Sequence, residues 1–262
     1  MKDETRKTII AVVAVAAVFG VSYAGILIYA GSSSPFYTIE SGSMSHTGGT
    51  RSQIGIIDAG DMVIARDPSK MDITTYVEGH ETGYGRFGDY GDVIIYSRPG
   101  NVPVIHRAIL YAAHNGDGTW NIPSLKDYTG LWFINGVPGD PDGAGALNGV
   151  LRFEGFGFNG RSFEVNLDSL TPGSGYITMG DANDGADQES AAISPSTLIS
   201  NDRIVAIAAH EVPWLGSVKM YATGNNTDNI PSNTLPSLII TLVLIFSSMI
   251  AVGLVFEYRK KR

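Results

Sequence analysis

GDVIIYSRPGNVPVIHRAILYAA, from Gly91 to Ala113, holds two runs rich in β-branched and aliphatic residues, Asp92 to Tyr96 and Val102 to Ala112. Runs of this length and composition, bounded by Gly, Pro, Asp or Asn, read as strands. Outward from this stretch the same signature recurs at Phe36 to Glu40, Asp61 to Ala65, Arg161 to Val165, Tyr176 to Met179 and Arg203 to His210. No amphipathic helices alternate with these runs, which argues against a parallel α/β fold and predicts a mainly β, antiparallel architecture. The 32 glycines and 12 prolines are spread through the middle of the chain, as expected for many short elements joined by turns. Two turn-rich stretches, Asp67 to Tyr90 and Asn115 to Gly160, read as surface loops or a small subdomain.

The ends have a different character. TIIAVVAVAAVFGVSYAGILIYA, Thr8 to Ala30, carries no charge over 23 residues, so as a helix it spans roughly 34 Å, enough for a bilayer core. The competing reading is a cleaved secretory signal, because Lys2, Arg6 and Lys7 form a basic leader. Against it, the run is longer than a usual signal core, and Ile28 is bulky where a small residue is wanted. LPSLIITLVLIFSSMIAVGLVF, Leu235 to Phe256, is a second uncharged run of 22 residues, closed by the basic tail Arg259 to Arg262. Positive charge stays on the cytoplasmic side of membranes. The expected plan is a cytoplasmic segment at 1–7, a span at 8–30, an extracytoplasmic β domain at 31–234, a second span at 235–256 and a cytoplasmic tail at 257–262.

Composition removes several function classes. With no cysteine there is no disulfide, thiolate metal site or cysteine nucleophile. Outside the basic termini, 11 basic and 23 acidic residues remain between Gly31 and Thr234, a net charge of −12. Such a surface repels phosphate backbones, so nucleic acid is not an expected partner. Asn225-Asn226-Thr227 matches an N-glycosylation acceptor, a short pattern that also occurs by chance.

Chemistry is suggested by three places in order. Ser41-Gly42-Ser43-Met44 puts hydroxyls just beyond the first span; His106 interrupts an apolar strand; and Gly180 to Asp187 (GDANDGAD) places Asp181, Asp184 and Asp187 in one turn. A serine hydroxyl is a weak nucleophile until a base, commonly a carboxylate-oriented histidine, takes its proton. His46, three residues after Ser43, is a rival base. The aspartate turn also resembles a calcium loop but lacks the alternating ligand set and closing glutamate.

Taken together, SGSM (Ser41 to Met44), GDVIIY (Gly91 to Tyr96), VIHR (Val104 to Arg107) and GDANDGAD (Gly180 to Asp187) resemble the sequential boxes of type I signal peptidases, the archaeal and endoplasmic-reticulum branch in particular. In the bacterial branch a lysine occupies the base position; here His106 stands there, and Lys70, Lys126 and Lys219 lie outside any comparable strand. The resemblance implies a membrane-bound serine endopeptidase with an antiparallel β domain that removes signal peptides from exported preproteins. It implies Ser43 as nucleophile, His106 as general base, Asp187 as the residue orienting that histidine, and Asp181 as an accessory acid. The Ser43 backbone N–H and the Ser41 hydroxyl would stabilise the oxyanion, and no cofactor or metal is required. Implied partners are preprotein signal peptides, the lipid bilayer and the protein export machinery. The chain departs from the family after SGSM, where Ser45 and His46 replace a usual acidic residue and proline, and it has no matching segment at about 115–175. A non-enzymatic two-span envelope protein, a divergent inactive member and a self-cleaving repressor-type protease are the alternatives; the last needs a DNA-binding segment and a serine-lysine dyad, neither of which is visible.

Overall fold

The computed structural model describes residues 3–260. A 28-residue helix α1 (Asp3–Ala30) leads into β1 (Phe36–Thr38) and β2 (Met62–Arg66); then follow α2 (Tyr76–Thr82), the small hairpin β3 (Gly85–Arg86) and β4 (Asp89–Tyr90), and the long pair β5 (Val93–Arg98) and β6 (Asn101–His114). β7 (Trp120–Asn121), β8 (Leu131–Ile134), β9 (Val137–Pro138), β10 (Val150–Phe156) and β11 (Arg161–Asn166) come next, before β12 (Ser174–Met179), β13 (Ile204–Val212), α3 (Gly216–Thr223) and α4 (Thr234–Lys260). Every stretch predicted as a strand forms one, with ends moved by a few residues.

The main sheet runs β1-β2-β13-β5-β6-β12, with β7 added to the far end of β6, and its neighbours pair antiparallel. Alternation along β6 decides what each residue can reach. His106 lies opposite Ile94, on the face that carries the cluster of Ile94, Tyr96, Ala108, Ile199, Ile204 and Ile207. Arg107 lies opposite Val93 and points to the other face, where Ile39, Met44, Ile57, Val63, Val93 and Ile95 pack.

The two turn-rich stretches are ordered structure. Within Asp67 to Tyr90, α2 begins on a capping box: the Thr75 hydroxyl accepts from the Glu78 backbone N–H, Glu78 accepts from the Thr75 N–H, and Gly83 closes the helix in the left-handed region. Within Asn115 to Gly160, and completed by β11 just beyond it, a second antiparallel sheet, β11-β10-β8-β9, builds a subdomain around the largest apolar cluster. Leu151, Phe153, Phe163 and Val165 are fully or almost fully buried there, and Ile109, Leu110 and Ala112 of β6 belong to the same cluster. Each such Leu or Phe contributes about 2 kcal/mol on burial. The 14-residue β6 therefore serves both sheets and ties the subdomain to the site.

Thr5–Ala30 and Thr234–Gly253 are both long and apolar enough to cross a membrane, with a mean hydropathy of 2.4 each. Little of either is covered by protein, 0% and 6% of the most apolar windows, as suits helices whose packing partner is hydrocarbon. The base of α1 is fastened to the sheet. The Asp67 N–H donates to Ala30 O at 2.8 Å, the Arg66 guanidinium lies 4.9 Å from the Tyr29 ring centroid, and the Tyr29 hydroxyl is 2.9 Å from His210 Nε2. Gly31 ends the helix at φ +67°, where a side chain would also meet Lys70. These contacts hold β1, and the turn after it, next to the end of the first apolar helix.

Candidate active site

Ser43 occupies a tight turn in the excursion between β1 and β2. The Ser45 N–H donates to Gly42 O at 3.0 Å, and the buried Met44 side chain plugs the turn into the apolar cluster below it. Ser43 is thereby left partly exposed, with its hydroxyl 3.0 Å from His106 Nε2. On the other side of the ring, His106 Nδ1 lies 2.8 Å from both oxygens of Asp187, a carboxylate with no exposed surface. An ionised carboxylate can only accept, so Nδ1 carries the proton; Nε2 is then the acceptor and the Ser43 hydroxyl donates to it. The structure brings Ser43, His106 and Asp187 together in the order a nucleophile, a base and an orienting acid require.

The turn that carries Asp187 is clamped to the Ser43 turn. The Ala182 N–H donates to Ser43 O at 2.9 Å. Gly180 passes so close that a Cβ there would lie 2.6 Å from Ser43 O and 2.9 Å from His106 Nε2; only glycine fits. Ser41 Oγ is 3.3 Å from Ser43 Oγ. Among the described residues no acceptor pairs with the Ser43 backbone N–H.

Among the described residues the Asp181 carboxylate makes no hydrogen bond to Ser43 or His106. It receives Arg107 Nε at 2.8 Å and Nη2 at 2.6 Å, and its Oδ2 is 3.0 Å from His46 Nε2. Arg107, 1% exposed, also donates through Nη1 to the carbonyls of Arg86, Asp89, Tyr90 and Gly91. Burial opposes ionisation of Asp181, yet the Arg107 charge and its paired hydrogen bonds, with His46, hold that carboxyl below the usual range. The accessory acid of the sequence reading is thus a strut on the opposite face of the sheet from Asp187. The rival base is engaged in the same strut: His46 stacks on Phe158 at 3.8 Å between ring centroids and turns its Nε2 to Asp181, not to Ser43.

Asp184 and the three other histidines fall elsewhere. Asp184 is exposed; His80 pairs with Glu81, His114 packs on Trp120, and His210 binds Tyr29. Lys219 pairs with Glu40 at 3.6 Å. Among the described residues no group of three or more His, Asp or Glu is placed to hold a metal ion. Two participants were not singled out in the sequence: the Tyr96 hydroxyl and the Thr178 hydroxyl each donate to Asp187 Oδ2 at 2.6 Å. Tyr96 closes the GDVIIY run, and its alternation with Ile94 opposite His106 is the signal that could have found it.

Beneath the nucleophile turn, Asp58, Asp61 and Glu211 gather. The Gln53 N–H donates to Asp58, the Asp58 and Trp214 N–H groups donate to Asp61, and the Gly55 N–H donates to Glu211. Burial pushes Asp61 up to about 8, with repulsion from Glu211 and Asp58 adding to it, and pushes Glu211 up to about 7, with repulsion from Asp58 adding to it. A carboxyl whose folded value is raised stabilises the fold fully below its unfolded value, and that contribution is lost as pH rises through the folded value. Asp181, depressed, acts in the opposite sense and loses its contribution only below its ordinary value of 3.8. Thermal melts should therefore fall from about pH 4, where the unfolded carboxyls ionise, up to about pH 8. Glu211→Gln, which keeps the acceptor for Gly55, should flatten that fall; an equally steep fall in the variant would remove Glu211 as its source.

Compared with known proteins, the chain matches no family model and no curated protein sequence.

Proposed function

We propose that this chain is a membrane-anchored serine endopeptidase that removes N-terminal signal peptides from exported preproteins. The observation that carries the reading is the continuous chain of hydrogen bonds from Ser43 Oγ through the His106 ring to Asp187, at 3.0 Å and 2.8 Å. In this chemistry Ser43 Oγ attacks the scissile carbonyl while its proton passes to His106 Nε2. Asp187 holds the ring's tautomer and stabilises the imidazolium that forms. The Ser43 N–H and the Ser41 hydroxyl receive the developing oxyanion, a type of contact worth ~100-fold or more in rate. His106 then protonates the leaving amine, and a water attacks the acyl-enzyme by the reverse proton movement. The route needs no metal or cofactor.

The substrate class is supported by three further features. The four sequence boxes resemble those of signal peptidases. The nucleophile turn lies close in sequence to the end of an apolar helix that is tied to its sheet. Basic residues cluster at both chain ends, which by the positive-inside rule puts both termini in the cytoplasm and the β domain outside, where signal peptides are cut. Extended preprotein segments with small residues before the scissile bond are the substrates this reading requires, delivered from the bilayer by the export machinery.

The test is incubation of the purified full-length protein, in detergent or vesicles, with a preprotein, and identification of the new N-terminus. Cleavage at the signal junction that is lost in a folded Ser43→Ala variant supports the reading. Absence of cleavage across several preproteins favours the non-enzymatic two-span alternative.

A further inference from the structure

Two buried aspartates follow β12 in one turn, yet the fold stabilises them in different ways. Asp181 faces the guanidinium of Arg107 on two hydrogen bonds. Asp187, with no exposed surface, has no Arg or Lys; among the described residues its one ion-pair partner is His106. Its stabilisation comes from neutral hydroxyls, Tyr96 and Thr178, both at 2.6 Å to Oδ2. A buried carboxylate must be solvated by something. An arginine would cancel its charge, whereas hydroxyl dipoles satisfy its lone pairs and leave the negative charge available to an imidazolium.

The donors come from neighbouring strands. Tyr96 lies on β5, His106 on β6 and Thr178 on β12, all on one sheet face, with the β12–β6 register shifting between Ile177 and Thr178. That irregularity sets Thr178 opposite Ala108. The Tyr96 ring is backed by the Arg203 guanidinium at 5.7 Å, which is itself held by Ser97 O. The carboxylate can therefore rotate only by breaking two short hydrogen bonds made from separate strands.

We infer that Tyr96 and Thr178 are positioning residues for the reaction, a hydroxyl clamp that fixes the Asp187 carboxylate against His106 Nδ1 without neutralising it. The kinetic half of this inference rests on the serine-peptidase reading above; the structural half does not.

The test uses the full-length protein in detergent with Tyr96→Phe, Thr178→Val and Thr178→Ser. Tyr96→Phe and Thr178→Val should each lower kcat about tenfold, with KM within about twofold, since each removes one hydrogen bond to a charged group that acts after binding. Thr178→Ser, which keeps the hydroxyl, should restore kcat. A kcat within about twofold of wild type in both deletion variants, or a loss expressed in KM alone, overturns the inference, as does a loss that Thr178→Ser fails to recover. In parallel, protein carrying ¹⁵N-histidine gives the His106 Nδ1–H resonance, identified by its disappearance in His106→Ala. It should move in Tyr96→Phe and in Thr178→Val and return in Thr178→Ser; an unmoved resonance refutes the clamp. If wild type cleaves no preprotein, the proposed function fails while this resonance still decides the clamp.

Discussion

Ser43→Ala and His106→Ala are each expected to lower kcat/KM by ~10⁴-fold or more, and the double variant to lose little beyond either single one. The reason is mechanical. In the proposed mechanism the alcohol and the imidazole act as one unit, so removing either ends proton transfer in the attack step. His46→Ala should instead retain most of the rate, because the His46 ring is stacked on Phe158 and directed to Asp181, away from the serine hydroxyl. Steady-state cleavage of one preprotein by the four variants, with circular dichroism to establish folding, makes the comparison. Activity that survives His106→Ala but not His46→Ala would assign the base to the wrong face of the sheet and overturn the mechanism proposed above.

Arg107→Met is expected to destabilise the fold by about 3–5 kcal/mol, the usual consequence of leaving one member of a buried ion pair alone. Its side-chain volume is largely kept, so loss of packing is a minor part. What is lost is the guanidinium that meets both oxygens of Asp181, 4% exposed and left with His46 alone, together with the donor shared by the carbonyls at Arg86, Asp89, Tyr90 and Gly91. For a β domain of this size the melting temperature should drop on the order of 10 °C. Arg107→Lys should recover only part, because an ammonium cannot meet both carboxylate oxygens and the carbonyl crown at once. Adding Asp181→Leu to Arg107→Met should restore some of the loss by removing the unpaired charge. A melting temperature within a degree or two of wild type for Arg107→Met would show that the strut is dispensable.

The two networks meet at a dipeptide, and this explains how much of the site could be read in advance. His106 and Arg107 are adjacent in sequence, and strand geometry sends them to opposite faces. The polar interruption of an apolar strand was legible as a candidate base, and the order of Ser43, His106 and Asp187 was legible through the family resemblance. Which of Asp181, Asp184 and Asp187 does what was not legible, because all three stand in one short turn of similar residues. Their separate roles come from where that turn crosses the sheet: Asp181 meets Arg107, Asp187 meets His106, and Asp184 stays in solvent.

The elements that stay hidden have physical causes as well. Asp67 to Tyr90 reads as a surface loop or a small subdomain with no helix marked in it, although Thr75 and Glu78 have the spacing of a capping box; seven residues of helix are too few for a hydrophobic period to show. Leu151-Arg152-Phe153-Glu154 alternates apolar and charged, and the strand there was hidden by the glycines that follow at Gly155 and Gly157. Tyr96 and Thr178 looked like ordinary β residues, since aromatic and β-branched side chains are what strands prefer anyway.

What the sequence determined by itself is everything with a short period or a uniform composition: two apolar helices at the ends, β-rich strands between them, and glycine-bounded turns, because these follow from burial and backbone sterics acting over a few neighbouring residues. Only the tertiary structure decided which hydroxyl, ring and carboxylate meet. Ser43 and His106 are 63 residues apart and His106 and Asp187 are 81 apart, and separations of that kind are closed by the order and register of the sheet, β5 beside β6 beside β12, which no local preference specifies.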